Sequence, residues 1–258
     1  MPALRTIQVC RYVTPLREGG SLPAIVEGDD GFLYALKFRG AGQGIKALIA
    51  ELIGGEVARA LGFKVPEVVF AEVDAAFGRA EPDEEIQDLL KKSTGLNLAL
   101  HYLSGAFTFD PVVTKLDGPT ASRIVWLDAY LMNVDRTPRN TNMLVWQKEL
   151  WLIDHGAALY FHHAGTPAAE AAAKPFVQVK DHVLLPWATE LEATDTFCKQ
   201  ILTPQLLMNL VQLIPDDWLQ DPTTTGVSRL MYLDFLTQRL ERSALFVQQA
   251  IHAKQALF

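Results

Sequence analysis

The alternation of apolar and polar residues in the first hundred positions predicts several short strands and one long helix. From residue 45 to residue 61 apolar side chains recur at helical spacing, and Gly62 follows them as a stop signal. A Gly-Asp-Asp-Gly turn at residues 28–31 stands between two apolar runs, which is typical of a hairpin. The acidic stretch 81–92 carries a narrow apolar stripe and predicts a surface helix. The predicted strands are residues 7–13, 24–26, 32–38 and 65–73.

After residues 96–103 the pattern becomes mainly helical. Pro119 stands at the start of a helix predicted to run to residue 132, and Thr203-Pro204 begins another that ends before Pro215. Four leucines followed by Val247 and Ile251, at roughly helical spacing, predict a further helix from residue 225 to about residue 258. We therefore expect an α+β fold with two lobes. A small strand-rich N-lobe with one helix takes residues 1–100, a larger mainly helical C-lobe takes residues 101–258, and a ligand would bind at their junction.

Carboxylate and amide side chains lie on both sides of a short apolar hairpin predicted at residues 143–153. Asp135 is followed five residues later by Asn140, and Asp154 stands directly after the hairpin in an Asp-His-Gly triplet. Protein kinases place a catalytic Asp and two metal ligands, an Asn and a second Asp, in this order. The sequence thus predicts Asp135 as the catalytic base, with Asn140 and Asp154 as ligands of the Mg²⁺ that accompanies ATP. The alternative is an Asn- and Asp-rich surface turn before an ordinary hairpin.

A kinase also needs a cation for the nucleotide phosphates and an acidic partner for it. Lys37 lies in the strand pattern Tyr-Ala-Leu-Lys-Phe, close to the Val-Ala-Ile-Lys pattern of kinases. Two acidic residues of the following helix compete as its partner. Helical phase puts Glu56 on the apolar face, whereas small residues around Glu51 would let that face approach the cleft. The phase argument leaves both candidates open.

Two glycine-rich segments could present backbone amides to phosphate groups. The first is the turn at residues 19–21, in which Gly20 and Ser21 are the candidate contacts. The second is the segment 40–44, which has three glycines and leads into the long helix. Each also has a plain interpretation, as a hairpin turn in the first case and as a flexible connector in the second.

Composition and charge narrow the possible partners and the compartment. Apolar residues make up 49% and charged residues 21% of the chain, as in ordinary globular proteins, and no run approaches a membrane span. A net charge of −7 without a cluster of Lys and Arg argues against nucleic acid. Cys10 and Cys198 lie far apart in the sequence, so we expect a reducing, cytoplasmic compartment. The histidines at 155, 162 and 163 lack a regularly spaced fourth ligand for zinc.

The segments that carry this chemistry resemble the HipA-like kinases over residues 15–190. The chain is most similar to the short stand-alone HipA-like proteins, and its motif order more distantly resembles the phosphoinositide kinases. It departs from the HipA toxin, which has Asp-Asp-His where this chain has Asp-Arg-Thr at residues 135–137, so toxin activity is not carried over. The resemblance is carried by Leu36-Lys37, Ala50-Glu51, Asn133-Val-Asp135-Arg with Asn140, and Ile153-Asp154-His-Gly.

The resemblance implies a bilobal protein-kinase-like fold that uses ATP and magnesium to phosphorylate serine or threonine. It favours Glu51 as the partner of Lys37, and it makes Ser21 a candidate autophosphorylation site. It also implies that adenine lies against the connection between the lobes, with His101 and Leu103 as contacts. Asn142 has two possible roles, as a metal ligand or as a brace of the catalytic loop.

These observations together predict an ATP-dependent kinase that acts on a protein hydroxyl, including one of its own. One alternative is a lipid or small-molecule kinase with the same catalytic residues and a small hydroxylated acceptor. Another is a nucleotide-binding pseudokinase that serves as an interaction module. The presence of Asp135, Asn140 and Asp154 argues against the last, because binding alone does not require all three.

Overall fold

The computed structural model describes residues 4–16, 23–77 and 83–257, which form a mixed α+β fold. Strands dominate the first half of the chain and helices the second. The strands in these ranges are β1 (Thr6–Pro15), β2 (Ala24–Gly28), β3 (Leu33–Lys37), β4 (Val68–Val73), β5 (Gly95–His101), β6 (Phe107–Thr108), β7 (Met143–Trp146) and β8 (Glu149–Leu152). The helices are α1 (Gly44–Ala60), α2 (Glu84–Lys92), α3 (Gly118–Leu131), α4 (Phe161–Ala164), α5 (Ala168–Ala172), α6 (Leu191–Ile201), α7 (Pro204–Val211), α8 (Asp216–Gln220), α9 (Arg229–Glu241) and α10 (Ala244–Gln255).

Five of the strands in the described ranges close into a barrel in the order β1-β2-β3-β5-β4. Neighbouring strands are antiparallel except for β1 and β4, which run parallel. Along β3 the side chains alternate, with Tyr34 and Leu36 buried in the barrel core. Because successive side chains of a strand point to opposite faces, Lys37 lies on the outside of the barrel.

Helix α1 covers that outer face and is buried around most of its circumference. Its apolar residues belong to the same continuous core as those of the C-terminal helices, so α1 joins the barrel to the helical half. A helix that is buried this completely can carry acidic side chains only where they find partners. Glu51 and Glu56 are both buried in α1, and each has a cationic partner.

The hairpin predicted at residues 143–153 is present as β7 and β8, with Met143 opposite Leu152. Strand β6 pairs with β7 to complete a three-stranded sheet. Just beyond the paired residues, the Ile153 amide donates a hydrogen bond to the Asn142 carbonyl (3.1 Å). The residues at the two ends of the hairpin, Asn142 and Asp154, have φ angles of 48° and 56°. Asn and Asp tolerate this left-handed region better than most residues with a Cβ, so the turns at both ends are compatible with their residue types.

The helix predicted at residues 225–258 is wrong in its start and in its continuity. It begins only at Arg229, where the Ser228 hydroxyl accepts a hydrogen bond from the Met231 amide (3.1 Å) and caps the helix. It is interrupted at Arg242 and Ser243, which separate α9 from α10. Both helices contact α3, but α9 packs mainly against α5 and α7, whereas α10 packs against the segment Val177–Asp181 and α6. One straight helix could not face both sets of neighbours. The sequence pattern did not show the break, because apolar residues at helical spacing continue beyond it at Val247 and Ile251.

Other predicted elements differ from the structure mainly at their ends. The surface helix predicted from residue 81 begins at Glu84, where the Asp83 carboxylate accepts hydrogen bonds from two backbone amides of the first turn. The strand predicted from residue 65 begins at Val68. Helix α6 was not predicted from the sequence pattern. Among the helices in the described ranges, none combines the length and apolar character that crossing a lipid bilayer requires.

Candidate active site

Three charged side chains from separate elements meet where β3, α1 and the end of β8 come together. Lys37 Nζ lies 2.5 Å from Asp154 Oδ1 and 3.3 Å from Glu51 Oε2. Glu51 is 1% exposed and the Lys37 side chain 14%, whereas the Asp154 side chain is 40% exposed. The lysine therefore bridges a fixed carboxylate inside the protein and a second carboxylate that reaches solvent.

The electrostatics of this group favour its charged forms. Burial alone would lower the pKa of Lys37, but the carboxylates of Glu51 and Asp154 outweigh burial, so the pKa is raised. Burial alone would raise the pKa of Glu51, but Lys37 and His155 together outweigh burial, so the pKa is lowered. At neutral pH Lys37 is therefore an ammonium and Glu51 a carboxylate.

The two acidic candidates of α1 have different partners in the structure. Glu51 contacts Lys37, whereas Glu56 Oε1 accepts a hydrogen bond from Arg59 Nε (3.1 Å), one turn along the same helix. Arg59 also donates to the backbone carbonyls of Val65 and Pro66. Glu56 therefore belongs to the junction between α1 and the strand that follows it.

His155 lies beneath the ion pair and is fully buried. Its Nδ1 is 3.7 Å from Glu51 Oε1, and neither ring nitrogen has a hydrogen-bond partner among the described residues. The ring is in close contact with α1, where a Cβ added to Gly54 would lie 2.6 Å from His155 Cβ. The sequence indicated His155 only as the middle residue of the Asp-His-Gly triplet and as a histidine without a zinc site, so this packing role was missed. A glycine inside a long apolar helix was the signal, because such a glycine often marks a close approach.

The catalytic loop predicted around Asp135 is held together by side-chain amides. Asp135 Oδ2 accepts hydrogen bonds from Asn140 Nδ2 (2.8 Å) and Asn142 Nδ2 (3.2 Å). Burial raises the pKa of Asp135, and the negative charge of Asp154 adds to this effect, against the two amide hydrogen bonds. The structure thus joins Asp135 to Asn140 directly and brings Asp154 close enough for its charge to act on Asp135.

A buried polar cluster beneath this loop was missed by sequence reasoning. Asp128, in the last turns of α3, and Arg136 are fully buried and paired, with Arg136 Nε 2.5 Å from Asp128 Oδ2. His182, from the chain after the hairpin, binds the same carboxylate oxygen (2.9 Å). An Asp at a buried position of an apolar helix was the available signal, because such a charge requires partners.

A cleft beside the ion pair extends along the N-terminal end of α1. The segment 40–44 contributes Ala41, Gln43 and Gly44 to its wall, so this glycine-rich segment lies at the site. The positive end of a helix and its free amides favour an anion at this position. The other residues that line the cleft are Lys37, Phe38, Ala47, Leu48, Glu51, Asp154 and Gly156.

The remaining predicted nucleotide contacts lie elsewhere or outside the described ranges. Gly20 and Ser21 belong to residues 17–22, which the structure does not describe. His101 ends β5 opposite Tyr34, and its ring makes edge contacts with the rings of Phe32 and Tyr34. Leu103 is buried in the connection that follows. Within the described ranges, neither His101 nor Leu103 lines the cleft beside Lys37.

The fold is similar to those of two solved kinases of low sequence identity. The crystal structure of a Helicobacter pylori proinflammatory kinase, CtkA, matches with a TM-score of 0.56 and 11% identity, covering 100% of both chains. The crystal structure of the Golgi casein kinase with Mn/ADP bound matches with a TM-score of 0.50 and 10% identity, covering 99% of this chain and 75% of that one. At such identities the similarity establishes a shared kinase fold.

Family membership comes from the sequence itself. No curated protein matches the chain. The family model for the HipA-like kinases, however, matches residues 9–248, which is nearly the whole chain and includes every described residue of the candidate site. The kinase predicted from the motif order is therefore confirmed as a phosphotransferase: the chain belongs to the HipA-like kinase family.

Proposed function

We propose that this protein transfers the γ-phosphoryl group of ATP, with Mg²⁺, to the hydroxyl of a serine or threonine in a protein, including its own chain. The observation that carries the proposal is the meeting of Lys37, Glu51 and Asp154 beside a cleft, next to the hydrogen-bonded pair of Asp135 and Asn140. Phosphoryl transfer is achieved mainly by positioning and by neutralising charge, and these residues supply both.

The proposal divides the chain at the end of β5. Residues 1–100, with the barrel and α1, form the N-lobe that holds the nucleotide, and residues 101–258 form the C-lobe with the catalytic loop. His101 and Leu103 at this connection are the proposed contacts of adenine. Gly20 and Ser21 are proposed to approach the phosphates, with Ser21 as a site of autophosphorylation.

Lys37 is the proposed contact of the nucleotide phosphates. Its ammonium is held on one side by the buried Glu51 and on the other by Asp154, which reaches solvent. Glu51 keeps the lysine side chain extended toward the cleft, so that the ammonium is presented at a fixed point. The segment 40–44 lines the same cleft through Ala41, Gln43 and Gly44, and the first-turn amides of α1, which begins here, would add hydrogen bonds to phosphate oxygens.

The donor set near Asp154 fits a hard divalent cation. Carboxylate and amide oxygens are the ligands that Mg²⁺ prefers, and Mg²⁺ commonly uses few protein ligands together with phosphate oxygens. The proposed protein ligands are Asp154 and the side-chain amide oxygen of Asn140. Two protein ligands are compatible with the described ranges, in which no three His, Cys, Asp or Glu side chains converge as a metal site. A bound Mg²⁺ neutralises charge on the phosphates, and it would relieve the repulsion between Asp154 and Asp135. The Golgi casein kinase structure holds Mn and ADP, which supports nucleotide with a divalent metal here.

Asp135 is the proposed catalytic base. Its carboxylate accepts the proton of the attacking hydroxyl while Asn140 and Asn142 hold one of its oxygens, which leaves the other oxygen available. The raised pKa of Asp135 makes its carboxylate a stronger base than an ordinary Asp. Loss of an oriented base typically costs about 10²- to 10⁴-fold in rate.

The test is incubation of the protein with Mg-ATP, followed by mass spectrometry of the intact protein and of its peptides. We expect a gain of one phosphate on a serine or threonine in the wild-type protein and none in Asp135→Ala. Asp88→Ala, which changes an exposed carboxylate on α2, is the matched control and should behave as wild type. Undiminished transfer in Asp135→Ala would exclude Asp135 as the base. Phosphate found only on an added lipid or small alcohol would replace the protein acceptor with a small one.

A further inference from the structure

Asp128 is the centre of a buried hydrogen-bond network beneath the catalytic loop. Its side chain has no exposed surface, and both carboxylate oxygens are used. Asn133 Nδ2 donates to Oδ1 (2.9 Å), while Arg136 Nε (2.5 Å) and His182 Nε2 (2.9 Å) both reach Oδ2. One carboxylate on helix α3 therefore fixes three side chains that come from two other parts of the chain.

Two of these side chains extend the network to both sides of the proposed base. Asn133 Oδ1 accepts a hydrogen bond from the Asp135 amide (3.2 Å). Arg136 Nη1 donates to the Asn142 carbonyl, the same oxygen that accepts from the amide of Ile153. Since Ile153 directly precedes the proposed metal ligand, the arginine links the base and the metal-binding end of the hairpin through one carbonyl.

His182 connects a third segment of the chain, residues 182–184, to Asp128. Its Nδ1 accepts a hydrogen bond from the Leu184 amide (3.0 Å), so the proton resides on Nε2 and is donated to Asp128. The amide of the next residue, Val183, donates to the Arg136 carbonyl (3.1 Å). The chain at residues 182–184 is thus docked on the catalytic loop by side-chain and backbone hydrogen bonds together.

A buried polar network of this kind is an unfavourable way to stabilise the fold. Burying a carboxylate, a guanidinium and an imidazole requires desolvation that well-packed apolar side chains of similar size would avoid. Directional hydrogen bonds do what apolar packing cannot, because they fix the orientation of the backbone on each side of a catalytic residue. Misplacement of a reacting group by about 1 Å can reduce a rate by about 10²-fold.

We propose that Asp128 and His182 are positioning residues for phosphoryl transfer, through which the segment at residues 182–184 holds the catalytic loop in its working geometry. Asp135 then reaches its proper orientation only while that segment is docked. The proposal rests on the function proposed above, since it assumes that Asp135 is the base.

The test compares two buried hydrogen bonds of similar length. One belongs to the network beneath the catalytic loop and the other does not. His182→Phe removes the bond to Asp128, whereas Tyr232→Phe removes the bond between the Tyr232 hydroxyl and His162 Nδ1 (2.9 Å), which lies between α4 and α9. Turnover of Mg-ATP is measured at a temperature where circular dichroism shows both variants to be folded. We expect His182→Phe to lower kcat by about 10- to 100-fold with little change in KM for ATP, and Tyr232→Phe to stay within about twofold of wild type. His182→Gln, which keeps an N–H donor, should recover part of the loss.

Hydrogen exchange of residues 133–142 provides a second readout that does not depend on the acceptor. His182→Phe should accelerate exchange there, and Tyr232→Phe should not. If the two variants match each other in both turnover and exchange, or if His182→Phe only lowers the melting temperature, the positioning role is excluded. An active Asp135→Ala would instead exclude the proposed base, while the exchange data would still decide whether His182 orders the loop.

Discussion

Lys37 Nζ and Asp154 Oδ1 lie 2.5 Å apart, so the cation proposed for phosphate and the carboxylate proposed for the metal neutralise each other directly. Both would exchange this contact for a contact with Mg-ATP, while Glu51 stays with the lysine as a buried counter-ion. The contact therefore holds Asp154 against a lysine that Glu51 already pairs from inside the protein.

Asp154→Asn tests the metal-binding half of this pair. Asn keeps the shape of the side chain and tolerates the φ angle of 56° at this position, so the variant should fold as the wild type does. We expect Mg²⁺ to strengthen ATP binding about tenfold or more in the wild-type protein, which is about 1.4 kcal/mol, and to have no effect on binding in Asp154→Asn. Calorimetric titration with ATP, with and without Mg²⁺, measures this difference. An unchanged response to Mg²⁺ in the variant would remove Asp154 from the metal site.

The variants Glu51→Gln and Glu56→Gln distinguish the roles of two buried carboxylates in the same helix. Glu51 contacts Lys37, whereas Glu56 contacts Arg59 at the far side of the site. Loss of charge at Glu51 leaves Lys37 with Asp154 as its counter-ion, so the lysine would be held away from phosphate. We expect Glu51→Gln to lower kcat/KM for ATP by about 10- to 100-fold, since a charge-assisted contact contributes about 1.5–3 kcal/mol. Glu56→Gln should retain activity and affect mainly stability, and an equal loss in both variants would contradict the assignment.

Much of the site could be predicted from the sequence because its residues have local constraints. The five-residue offset between Asp135 and Asn140, and the hairpin that precedes Asp154, are features of a short stretch of chain. Lys37 was recognisable because the strand pattern around it is also local. The choice between Glu51 and Glu56 was not local, because it depends on how α1 is rotated against β3, and helical phase alone did not settle it.

The parts that could not be predicted depend on contacts between distant segments. His182 meets Asp128 across 54 residues of sequence, and the intervening chain gives no pattern that indicates the meeting. The break between α9 and α10 likewise follows from their different main packing partners, although apolar residues at helical spacing continue through it. The barrel closure by the parallel pairing of β1 with β4 is of the same kind.

Asp135→Asn should remove activity and yet make the protein more stable. Burial and the charge of Asp154 raise the pKa of Asp135 in the folded protein, so its charged form is less favourable there than in the unfolded chain. A raised carboxyl pKa lowers the free energy of unfolding progressively as pH rises above about 3.9, the ordinary value for Asp. In urea denaturation with EDTA present, we expect Asp135→Asn to be more stable than wild type at pH 7 and equal to it below about pH 4. Asp88→Asn is the exposed control, and a less stable Asp135→Asn at pH 7 would contradict the argument.

The same raised pKa predicts how activity depends on pH. The base must be ionised to accept a proton, so kcat/KM should fall as the pH decreases through the pKa of Asp135. The fall should begin at a higher pH than an ordinary Asp, with its pKa of about 3.9, would give. A pH–rate profile measured over the range in which the protein remains folded checks this, and a profile without an acidic limb would argue against a carboxylate base.

Trp218 anchors the C-terminal half of the chain to the barrel. It is fully buried, its indole N–H donates to the Leu96 carbonyl (2.9 Å), and its ring contacts Phe70 edge-on. Arg39 adds ion pairs to both ends of the same short helix, at Asp217 (2.7 Å) and Asp221 (2.8 Å). We expect Trp218→Ala to lower the free energy of unfolding by about 3–5 kcal/mol in urea denaturation, because it removes a large buried side chain. Trp187→Ala, at a tryptophan that is 40% exposed, should cost much less, and equal losses would show that Trp218 does not anchor this half.

Gly54 and Gly55 are adjacent in α1 and should respond to substitution by alanine in opposite directions. A Cβ on Gly54 would lie 2.6 Å from His155 Cβ, whereas a Cβ on Gly55 would lie 3.5 Å from its nearest neighbour, the Val65 side chain. The first contact requires His155, and with it Asp154, to move away from α1, while the second is an ordinary van der Waals distance.

Alanine at Gly55 is therefore expected to be neutral or to stabilise the protein by up to about 1 kcal/mol, since Ala favours a helix more than Gly does. Alanine at Gly54 gains the same helix propensity but forces the packing apart, which typically costs about 1–3 kcal/mol. Urea denaturation measures both effects, and turnover of Mg-ATP should fall only in Gly54→Ala, because the displaced histidine neighbours the proposed metal ligand. If Gly54→Ala were as stable and as active as Gly55→Ala, the contact between α1 and His155 would not constrain Asp154.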